Sequence, residues 1–338
     1  QPNRANIMAS LKDVARLASV SLMTVSRAIN NPELLKPDTL KQVQRAIEEL
    51  NYVPDFSARK IRGQGTKVSS IGVLGIDTAT TPFSVEMILS IERTARQFGW
   101  SSFVVNLTEQ EGYDQAIWQL LAQRPDGIIY TTMGLREITV HEKLRDKNVV
   151  LANCLAKDQT FPTYIPDDYH GQYFAIKHVI EKGYRHPLCF YLPEDTVAGP
   201  IRRKAVEDAW QDAGLPLSSL RQYTMLFGDE HYRDVIGLLQ QHCRQQKADF
   251  DILICGNDRI AFLAYQVLLS MGLRIPEQVA VLGYDNMIGT GELFYPPLTT
   301  VQLPHYDLGK EATLHIIQER NHNKTVQVPC QLIERESL

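Results

Sequence analysis

The region from residue 70 to the C-terminus alternates between short apolar runs and segments with apolar residues at helical spacing. The apolar runs lie at residues 71–76, 127–130, 149–152, 188–192, 252–255 and 279–282. Unbroken runs of this length are typical of strands buried on both faces of a sheet. Strands that alternate with helices form parallel sheets with right-handed crossovers. Because the region is too long for one core, we predict an α/β fold with two doubly wound parallel-sheet lobes.

The helical segments between these runs carry signals of their own. One stripe at helical spacing is formed by Val85, Ile88, Leu89, Glu92, Ala95 and Phe98, all apolar except Glu92. Four segments end in a glycine that is followed by Trp, Tyr or Leu, namely Gly99, Gly183, Gly214 and Gly272. A glycine there takes the left-handed conformation, and the next apolar residue packs back on the helix. The four glycines therefore predict four helix C-termini.

Residues 10–50 contain three helix starts and no strand signal. Ser10 and Asp13 have the spacing of a capping box, Ser21 is a second N-cap, and Pro37 suits the first turn of a third helix. The turn at 19–20 is so short that the first two helices must cross steeply, as in a helix-turn-helix unit. We expect the inward face to hold Val14, Leu17, Ala18, Val25, Ala28, Ile29, Val43, Ala46, Ile47 and Leu50.

The start of the second helix has the surface of a DNA-reading element. In helix-turn-helix proteins this part of the helix enters the major groove. Arg27 can donate two hydrogen bonds to guanine, and Leu22 and Met23 can contact thymine methyl groups. Phosphate contacts are expected from Ser10, Ser21, Thr24, Ser26 and Asn30. The alternative is that Leu22 and Met23 only extend the core.

Charge is distributed unevenly along the chain. Residues 1–67 carry 11 Lys/Arg and 6 Asp/Glu, whereas the whole chain has a net charge of −4. A basic head on an acidic body favours a polyanionic partner at one end. The five cysteines are scattered without a C-x-x-C pair, which indicates buried thiols in a reducing compartment. With neither a membrane-length apolar stretch nor a signal-peptide core, we expect a cytoplasmic, nucleoid-associated protein without membrane contact.

Polar residues follow the predicted strands where a ligand of an open α/β sheet binds. They are Thr131, Asn153, Asn257, Asp258 and Asp285. Carboxylates and amides at one cleft suit sugar hydroxyls, and the aromatic platform that a sugar ring needs is offered by Phe83, Tyr130 or Phe294. Each position has a structural alternative: Asp258 as a helix cap, Tyr130 as a core residue and Asp285 as a turn residue.

Catalytic and metal-binding motifs are missing from the sequence. The glycines at 289 and 291 lack the third glycine of a dinucleotide loop. The sequence contains no phosphate-binding G-x-x-x-x-G-K-[ST] loop, no H-E-x-x-H and no G-x-S-x-G. We therefore predict no enzyme activity, no catalytic residues, no metal site and no cofactor. A sugar-binding protein or an α/β enzyme without a DNA role remains the remote alternative.

The head resembles that of the LacI/GalR family of sugar-responsive repressors. The resemblance lies in residues 11–27, Leu-Lys-Asp-Val-Ala-Arg-Leu-Ala-Ser-Val-Ser-Leu-Met-Thr-Val-Ser-Arg, and in residues 50–54, Leu-Asn-Tyr-Val-Pro. It continues from Ala9 to the C-terminus. Within the family, residues 77–84, 124–135 and 164–169 are most similar to repressors of sucrose operons.

The resemblance implies a role for individual residues. Leu22, Met23 and Arg27 fall on base-reading positions. Residues 56–63 fall on a hinge helix, which implies minor-groove contacts for Ala58, Arg59 and Ile61. The implied sugar ligands are Phe83, Thr131, Asn153, Arg202, Asn257 and Asp285.

The sequence departs from the family pattern at three places. Lys36 stands where a serine usually caps the third helix, and Ile61 replaces the usual leucine wedge. The segment after Arg202 ends in Ala205 and Val206 in place of Gly-Phe. For that reason either Arg202 or Arg203 could face the cleft.

The family also implies a domain division. The helix-turn-helix head spans 9–54 and the linker with its hinge helix spans 55–69. The two lobes resemble periplasmic sugar-binding proteins; the first comprises 70–165 plus 305–328, and the second 166–304 plus 329–338.

The resemblance implies a repressor of a sugar-utilisation operon, with sucrose as the favoured system. It binds a palindromic operator on double-stranded DNA as a homodimer and is released by a small sugar such as sucrose or fructose. A related sugar or a nucleoside is the alternative effector. The absence of a C-terminal leucine heptad favours a dimer over a tetramer.

Overall fold

The computed structural model describes residues 9–54, 68–78, 85–108, 112–158, 160–226 and 228–338. The chain divides into two compact units, residues 1–69 and residues 70–338. The hinge residues Ala58, Arg59 and Ile61, and Phe83 in the expected sugar site, lie outside the described residues. None of the helices in the described ranges is long and apolar enough to cross a membrane.

The head consists of three short α-helices around one small core. They are α1 (Leu11–Leu17), α2 (Leu22–Asn30) and α3 (Pro37–Glu49), with a 3₁₀ turn at Pro32–Leu34. The fully buried core residues are Val14, Ala15, Ala18, Val25, Val43 and Ala46. The expectation for Leu17 was wrong: its side chain is 43% exposed, and Ala15 takes the inward position.

The caps of the head helices follow the sequence closely. The Ser10 side chain accepts from the Asp13 N–H at 3.3 Å, and Asp13 Oδ2 accepts from the Ser10 N–H at 2.9 Å. Ser21 Oγ accepts from the Thr24 N–H at 3.1 Å. Lys36 occupies the N-cap position of α3 without a side-chain cap bond. The predicted capping box of α1 and the predicted start of α3 at Pro37 are therefore both confirmed.

The body contains two six-stranded sheets with helices on their faces and one short two-stranded sheet. Its strands are β1 (Ser70–Ile76), β2 (Ser101–Leu107), β3 (Gly127–Ile138), β4 (Val149–Ala156), β5 (Thr163–Asp167), β6 (Pro187–Tyr191), β7 (Arg221–Thr224), β8 (Cys243–Arg244), β9 (Lys247–Ala248), β10 (Ile252–Cys255), β11 (Ala280–Asp285), β12 (Thr299–Gln302), β13 (Thr325–Pro329) and β14 (Gln331–Ile333). Its helices are α4 (Val85–Gln97), α5 (Tyr113–Ala122), α6 (Asp168–Glu181), α7 (Ala198–Asp212), α8 (Asp234–His242), α9 (Asp258–Ser270) and α10 (His305–Ile317). Short 3₁₀ turns lie at Glu142–Leu144, Leu217–Ser219, Asp229–Arg233 and Gly291–Leu293.

The sheets define two lobes. The first lobe has strand order β13-β5-β4-β3-β1-β2, and the second has β14-β12-β11-β10-β6-β7. Every pair in these sheets is parallel except β12 with β14, which is antiparallel. The chain passes between the sheets after β5, after β12 and after β13. The predicted α/β fold with two doubly wound lobes is confirmed.

Helix α4 buries a different face from the one its sequence suggested. Its buried residues are Met87, Ser90, Ile91, Thr94 and Ala95. Val85, Leu89 and Phe98 of the predicted stripe are 54%, 37% and 51% exposed. The reason is tertiary: α10 packs against α4, and Gly309 has no side chain because a Cβ there would collide with Ser90 and the Met87 carbonyl.

Several local predictions are confirmed. Gly99, Gly183, Gly214 and Gly272 end their helices with φ of 73°, 97°, 73° and 75°. None of the five cysteines forms a disulfide, and all except the half-buried Cys330 are buried. The strand predictions fall within observed strands for the most part, but β3 and β4 run on to Ile138 and Ala156. A register shift between Thr131 and Arg136 allows β3 to continue past its expected end.

Candidate functional site

The first residues of α2 present apolar side chains to solvent. Leu22 and Met23 are 43% and 63% exposed, whereas Val25 on the same helix is fully buried. Arg27 is exposed one turn further on. Periodicity alone left open whether Leu22 and Met23 belong to the core, and the structure shows that they do not. Their exposed position next to a capped helix start is the geometry that groove reading requires.

The polar residues expected at phosphates form hydrogen bonds within the head. Ser10 Oγ donates to Asp13 Oδ2 at 2.6 Å, and the Ser21 and Thr24 hydroxyls lie 2.9 Å apart. Asn30 Nδ2 donates to Ser26 Oγ at 3.2 Å. Their phosphate contacts remain predictions; the Ser10 hydroxyl proton in particular would have to leave Asp13.

In the second lobe, three of the expected sugar ligands come together at the carboxyl ends of the strands. Asp285 ends β11 with a φ of 115°, Asn257 follows β10, and Arg202 reaches in from α7. Arg202 Nη1 donates to the Gly256 carbonyl at 2.9 Å and lies 3.7 Å from Asp285 Oδ1. Arg202 is therefore the arginine of the cleft.

Arg203 points away from this cluster. Its Nε donates to Glu207 Oε1 at 3.0 Å, and its guanidinium also lies near Glu194 and the Tyr191 ring. Of the two adjacent arginines, Arg202 is thus the one beside Asp285, and its contact with the sugar remains a prediction.

Asn257 and Asp258 have different roles, and the helix cap that the sequence assigned to Asp258 as an alternative belongs to Asn257. Asn257 caps α9, accepting from the Ile260 N–H at 3.0 Å, and its Nδ2 donates to the Tyr232 hydroxyl at 2.8 Å. Asp258 is fully buried and accepts from Thr300 Oγ1 at 2.8 Å and the Met287 N–H at 2.9 Å. The cap is therefore Asn257, and Asp258 anchors the loop that follows Asp285.

Burial shapes the charges of these carboxyl groups. It raises the pKa of Asp258 to about 6, against the opposing hydrogen bonds from Met287 and Thr300. It also raises the pKa of Asp285 well above its usual range, and the Arg202 charge opposes that rise. Both groups follow the rule that a desolvated carboxyl group resists ionisation.

The expected ligands of the first lobe are deeper than predicted. Thr131 and Asn153 are 1% and 2% exposed and lie inside β3 and β4, not beyond their ends. Thr131 Oγ1 donates to Met87 Sδ at 2.9 Å, and Asn153 Nδ2 donates to the Thr132 carbonyl at 3.1 Å. Their sugar contacts remain predictions. To contact a sugar, each side chain would need to form a further hydrogen bond besides the one it makes within the protein.

Two of the three aromatic platform candidates are core residues. Tyr130 is 1% exposed in the core between the first sheet and α5, and Phe294 is 7% exposed against Tyr265. Neighbouring side chains pack against both rings, as the core alternative for Tyr130 expected, and a platform role for either ring remains a prediction. A cavity of about 200 Å³ lies between the lobes and is lined by Glu86, Asn286 and Arg335 among others.

Sequence reasoning missed two members of the cluster. Asp168 Oδ1 accepts from Arg202 Nε at 2.8 Å and from the Tyr284 hydroxyl at 2.9 Å. The Arg202 guanidinium carbon lies 3.6 Å from the centre of the Tyr284 ring. Asp168 directly follows β5, so the strand-end rule that identified Asp285 could have found it. Among the described residues, no group of His, Cys, Asp and Glu side chains could hold a metal ion.

Comparisons with known proteins cover both units. Residues 10–55 match a family model described as bacterial regulatory proteins of the lacI family. Residues 69–336 match the model for periplasmic binding proteins and the sugar binding domain of the LacI family. Sucrose operon repressors from Shigella flexneri and Escherichia coli are each 57% identical over 328 residues, covering 97% of this chain and 99% of theirs.

Solved structures agree on the fold. The lac repressor dimer bound to operator and the anti-inducer ONPF superposes with a TM-score of 0.77, covering 98% of this chain and 99% of that one, at 23% identity. With both halves of the chain matched, and with full-length relatives that are named repressors, the protein belongs to the LacI family of DNA-binding, sugar-responsive transcriptional regulators.

Proposed function

We propose that the protein represses a sucrose-utilisation operon. It binds a palindromic operator as a homodimer and is released when a small sugar occupies the cleft. The observation that carries this proposal is that one chain combines an exposed reading surface at Leu22, Met23 and Arg27 with an arginine–carboxylate pair at strand ends. Identity of 57% to sucrose operon repressors supports sucrose or fructose as the effector.

The chemistry of the cleft suits a neutral polyol. A carboxylate can accept hydrogen bonds from two adjacent hydroxyl groups, and a guanidinium can donate two in one plane. Asp285 and Arg202 offer both at a separation of 3.7 Å. The amide oxygen and the amide nitrogen of Asn257 are both hydrogen-bonded within the protein. The side chain is therefore fixed and would orient the sugar ring beside Arg202 and Asp285.

The proposal includes the domain boundaries and the hinge. The linker at 55–69 would form a hinge helix on DNA, with Ala58, Arg59 and Ile61 at the minor groove. The lobes would comprise 70–165 plus 305–328 and 166–304 plus 329–338. Such a protein acts on DNA in the cytoplasm, associated with the nucleoid. A segment of eight residues is too short to be a stable helix by itself. We therefore expect a sugar that favours the unpaired hinge to weaken operator binding.

Operator release by sugar tests the proposal directly. Full-length protein is bound to a labelled duplex carrying the palindrome upstream of its sucrose genes, and anisotropy is followed with added sucrose, fructose, glucose and raffinose. We expect at least one sugar to weaken binding, with a clear preference for the palindrome over its scrambled sequence. Unchanged or tighter binding with every sugar would refute induction, and equal affinity for both duplexes would refute the repressor.

The Arg27→Ala variant tests the reading surface. Because a bidentate contact to one base contributes about 1–3 kcal/mol of discrimination, we expect a loss of that size on the operator and a smaller loss on scrambled DNA. Arg45→Ala, an equally exposed change on α3, is the matched control and should affect the two duplexes alike. Equal losses for Arg27→Ala on both duplexes would make Arg27 a phosphate contact.

A further inference from the structure

A buried carboxylate lies behind the proposed sugar-binding arginine. Asp168 is the first residue of α6 and is 2% exposed. Only one of its oxygens is bonded: Oδ1 accepts from Arg202 Nε at 2.8 Å and from the Tyr284 hydroxyl at 2.9 Å. Oδ2 has no hydrogen-bond partner among the described residues. A buried ion pair in which one carboxylate oxygen has no partner is weak evidence for a role in folding stability. The pair between Asp168 and Arg202 therefore points to a role other than stability.

The contacts of Arg202 leave one amino group open. Nε is bonded to Asp168 and Nη1 to the Gly256 carbonyl, while the flat face of the guanidinium lies on the Tyr284 ring. No hydrogen bond or ion pair within the described ranges occupies Nη2. The guanidinium is thus held on one edge and one face, and its remaining edge is available to a ligand.

Two carboxylates compete for this single guanidinium. Asp168 holds it at hydrogen-bond distance, whereas Asp285 lies 3.7 Å from Nη1, beyond a hydrogen bond. Without the Asp168 charge, the guanidinium would move toward Asp285 and form a bidentate pair with it, as arginine and carboxylate do when geometry allows. That pair would occupy the oxygens and the N–H groups that a sugar needs.

We propose that Asp168 is a positioning residue for the sugar site: by anchoring Arg202 at Nε, it keeps Nη2 and the Asp285 carboxylate open to sugar hydroxyls. The inference rests on the proposed sugar-binding role of Arg202 and Asp285. The carboxylate also stands where the chain passes from β5 into α6, between the lobes. Gly171 lies one turn further along α6, next to Cys330 in the passage from β13 to β14. A Cβ atom added to Gly171 would lie only 2.6 Å from the Cβ atom of Cys330.

The Asp168→Asn variant tests this proposal. Asparagine keeps an oxygen acceptor of the same size and removes the charge. Since a hydrogen bond to a charged group is worth more than a neutral one, we expect the dissociation constant for the inducing sugar to rise about tenfold. The matched control is Asp212→Asn, an exposed carboxylate that accepts from Tyr173 as Asp168 accepts from Tyr284; its sugar affinity should not change.

A double-mutant cycle separates positioning from general damage. In an Arg202→Lys background, with titrations carried to near-molar sugar, Asp168→Asn should add less than about a twofold change. Tyr284→Phe removes only the hydroxyl that steadies Asp168 Oδ1 and should weaken sugar binding about threefold, which keeps the proposal testable should Asp168→Asn fail to fold.

The outcomes distinguish the inference from the proposed function. If the wild-type protein binds sugar and Asp168→Asn leaves the sugar affinity unchanged, the inference alone is overturned. If Asp168→Asn does not fold, an unchanged sugar affinity for Tyr284→Phe overturns it instead. An equal loss from Asp168→Asn in the wild-type and Arg202→Lys backgrounds would also overturn it, since the effect would then not pass through Arg202. Wild-type protein that binds no sugar would overturn the proposed function together with the inference.

Discussion

Asp258 shows how one buried side chain organises the proposed sugar site without facing it. It is fully buried at the start of α9 and joins two segments: Thr300 on β12 and Met287 in the loop after Asp285. Gly283 has no side chain at the point where a Cβ would meet the Asp258 carboxyl group. The carboxyl group thus fixes the loop that follows Asp285.

The protonation of Asp258 should make stability depend on pH. Its pKa in the folded protein is raised to about 6, so its stabilising contribution is complete while it is protonated at low pH and is lost as the pH rises through about 6. Relative to wild type, Asp258→Asn should therefore gain stability between pH 4 and pH 7. A rise from the ordinary value of 3.8 to about 6 corresponds to roughly 3 kcal/mol in the free energy of unfolding.

Thermal unfolding midpoints at unit steps of pH provide the measurement. The pKa of Asp285 is raised in the same direction as that of Asp258, so each unfolding curve contains contributions from both groups. The difference between the midpoints of Asp258→Asn and wild type therefore reports on Asp258. Glu277→Gln, a change at an exposed carboxylate, should run parallel to wild type. A difference for Asp258→Asn that stays constant from pH 4 to pH 7 would contradict the assignment.

Among the helices of the head, α3 has the weakest N-terminus. The N-caps of α1 and α2 accept a backbone N–H through a serine side chain, whereas Lys36 at the start of α3 does not. The φ and ψ of Lys36, −63° and 141°, already suit a capping residue, because N-caps have extended backbone. One unsatisfied donor of α3 could therefore be paired without moving the backbone.

Lys36→Ser should stabilise α3. A serine cap is worth about 0.5–2 kcal/mol over a residue that does not cap, and Pro37 behind it already favours the helical turn. Hydrogen exchange of the peptide covering 37–49 in the full-length protein should slow accordingly. Lys41→Ser makes the same change in the interior of α3, where serine costs helix propensity, and should speed exchange. Equal changes at the two sites would show that capping is not the cause.

At the scale of the whole molecule, the proposed sugar site adjoins the passages between the lobes. Asp168 begins the segment after β5, and the Asp285 carbonyl accepts from the Leu303 N–H at 3.2 Å just before α10. A ligand that draws on Arg202 and Asp285 would therefore act next to two of the three passages between the sheets. We expect these two passages to couple sugar binding to lobe movement.

Linkage gives a quantitative test of that connection. If sugar and operator favour different states of one protein, each must weaken the binding of the other by the same factor. We expect the ratio of operator dissociation constants with and without saturating sugar to equal the ratio of sugar dissociation constants with and without saturating operator. Calorimetry and anisotropy on one preparation measure both ratios. Unequal ratios would mean that a third species, such as a dissociated protomer, has to be included.

The sequence by itself determined the features that depend on near neighbours. The serine caps of α1 and α2, the four glycines that end helices, and the alternation of strands with helices all follow from residues within one or two turns of each other. Their conformational preferences are local, so pattern was sufficient for them. The exposure of Leu22 and Met23 also followed, because the core positions of α2 were already assigned to other side chains.

Only the tertiary structure decided which faces and partners the distant parts of the chain acquire. The buried face of α4 depends on α10, and Tyr130 and Phe294 lie in cores that no local pattern distinguishes from a cleft. Arg202 meets Asp168 across 34 residues, and Asp168 meets Tyr284 across 116. Periodicity carries no information over such separations; the sheets bring these groups together because parallel strands gather their carboxyl ends at one edge.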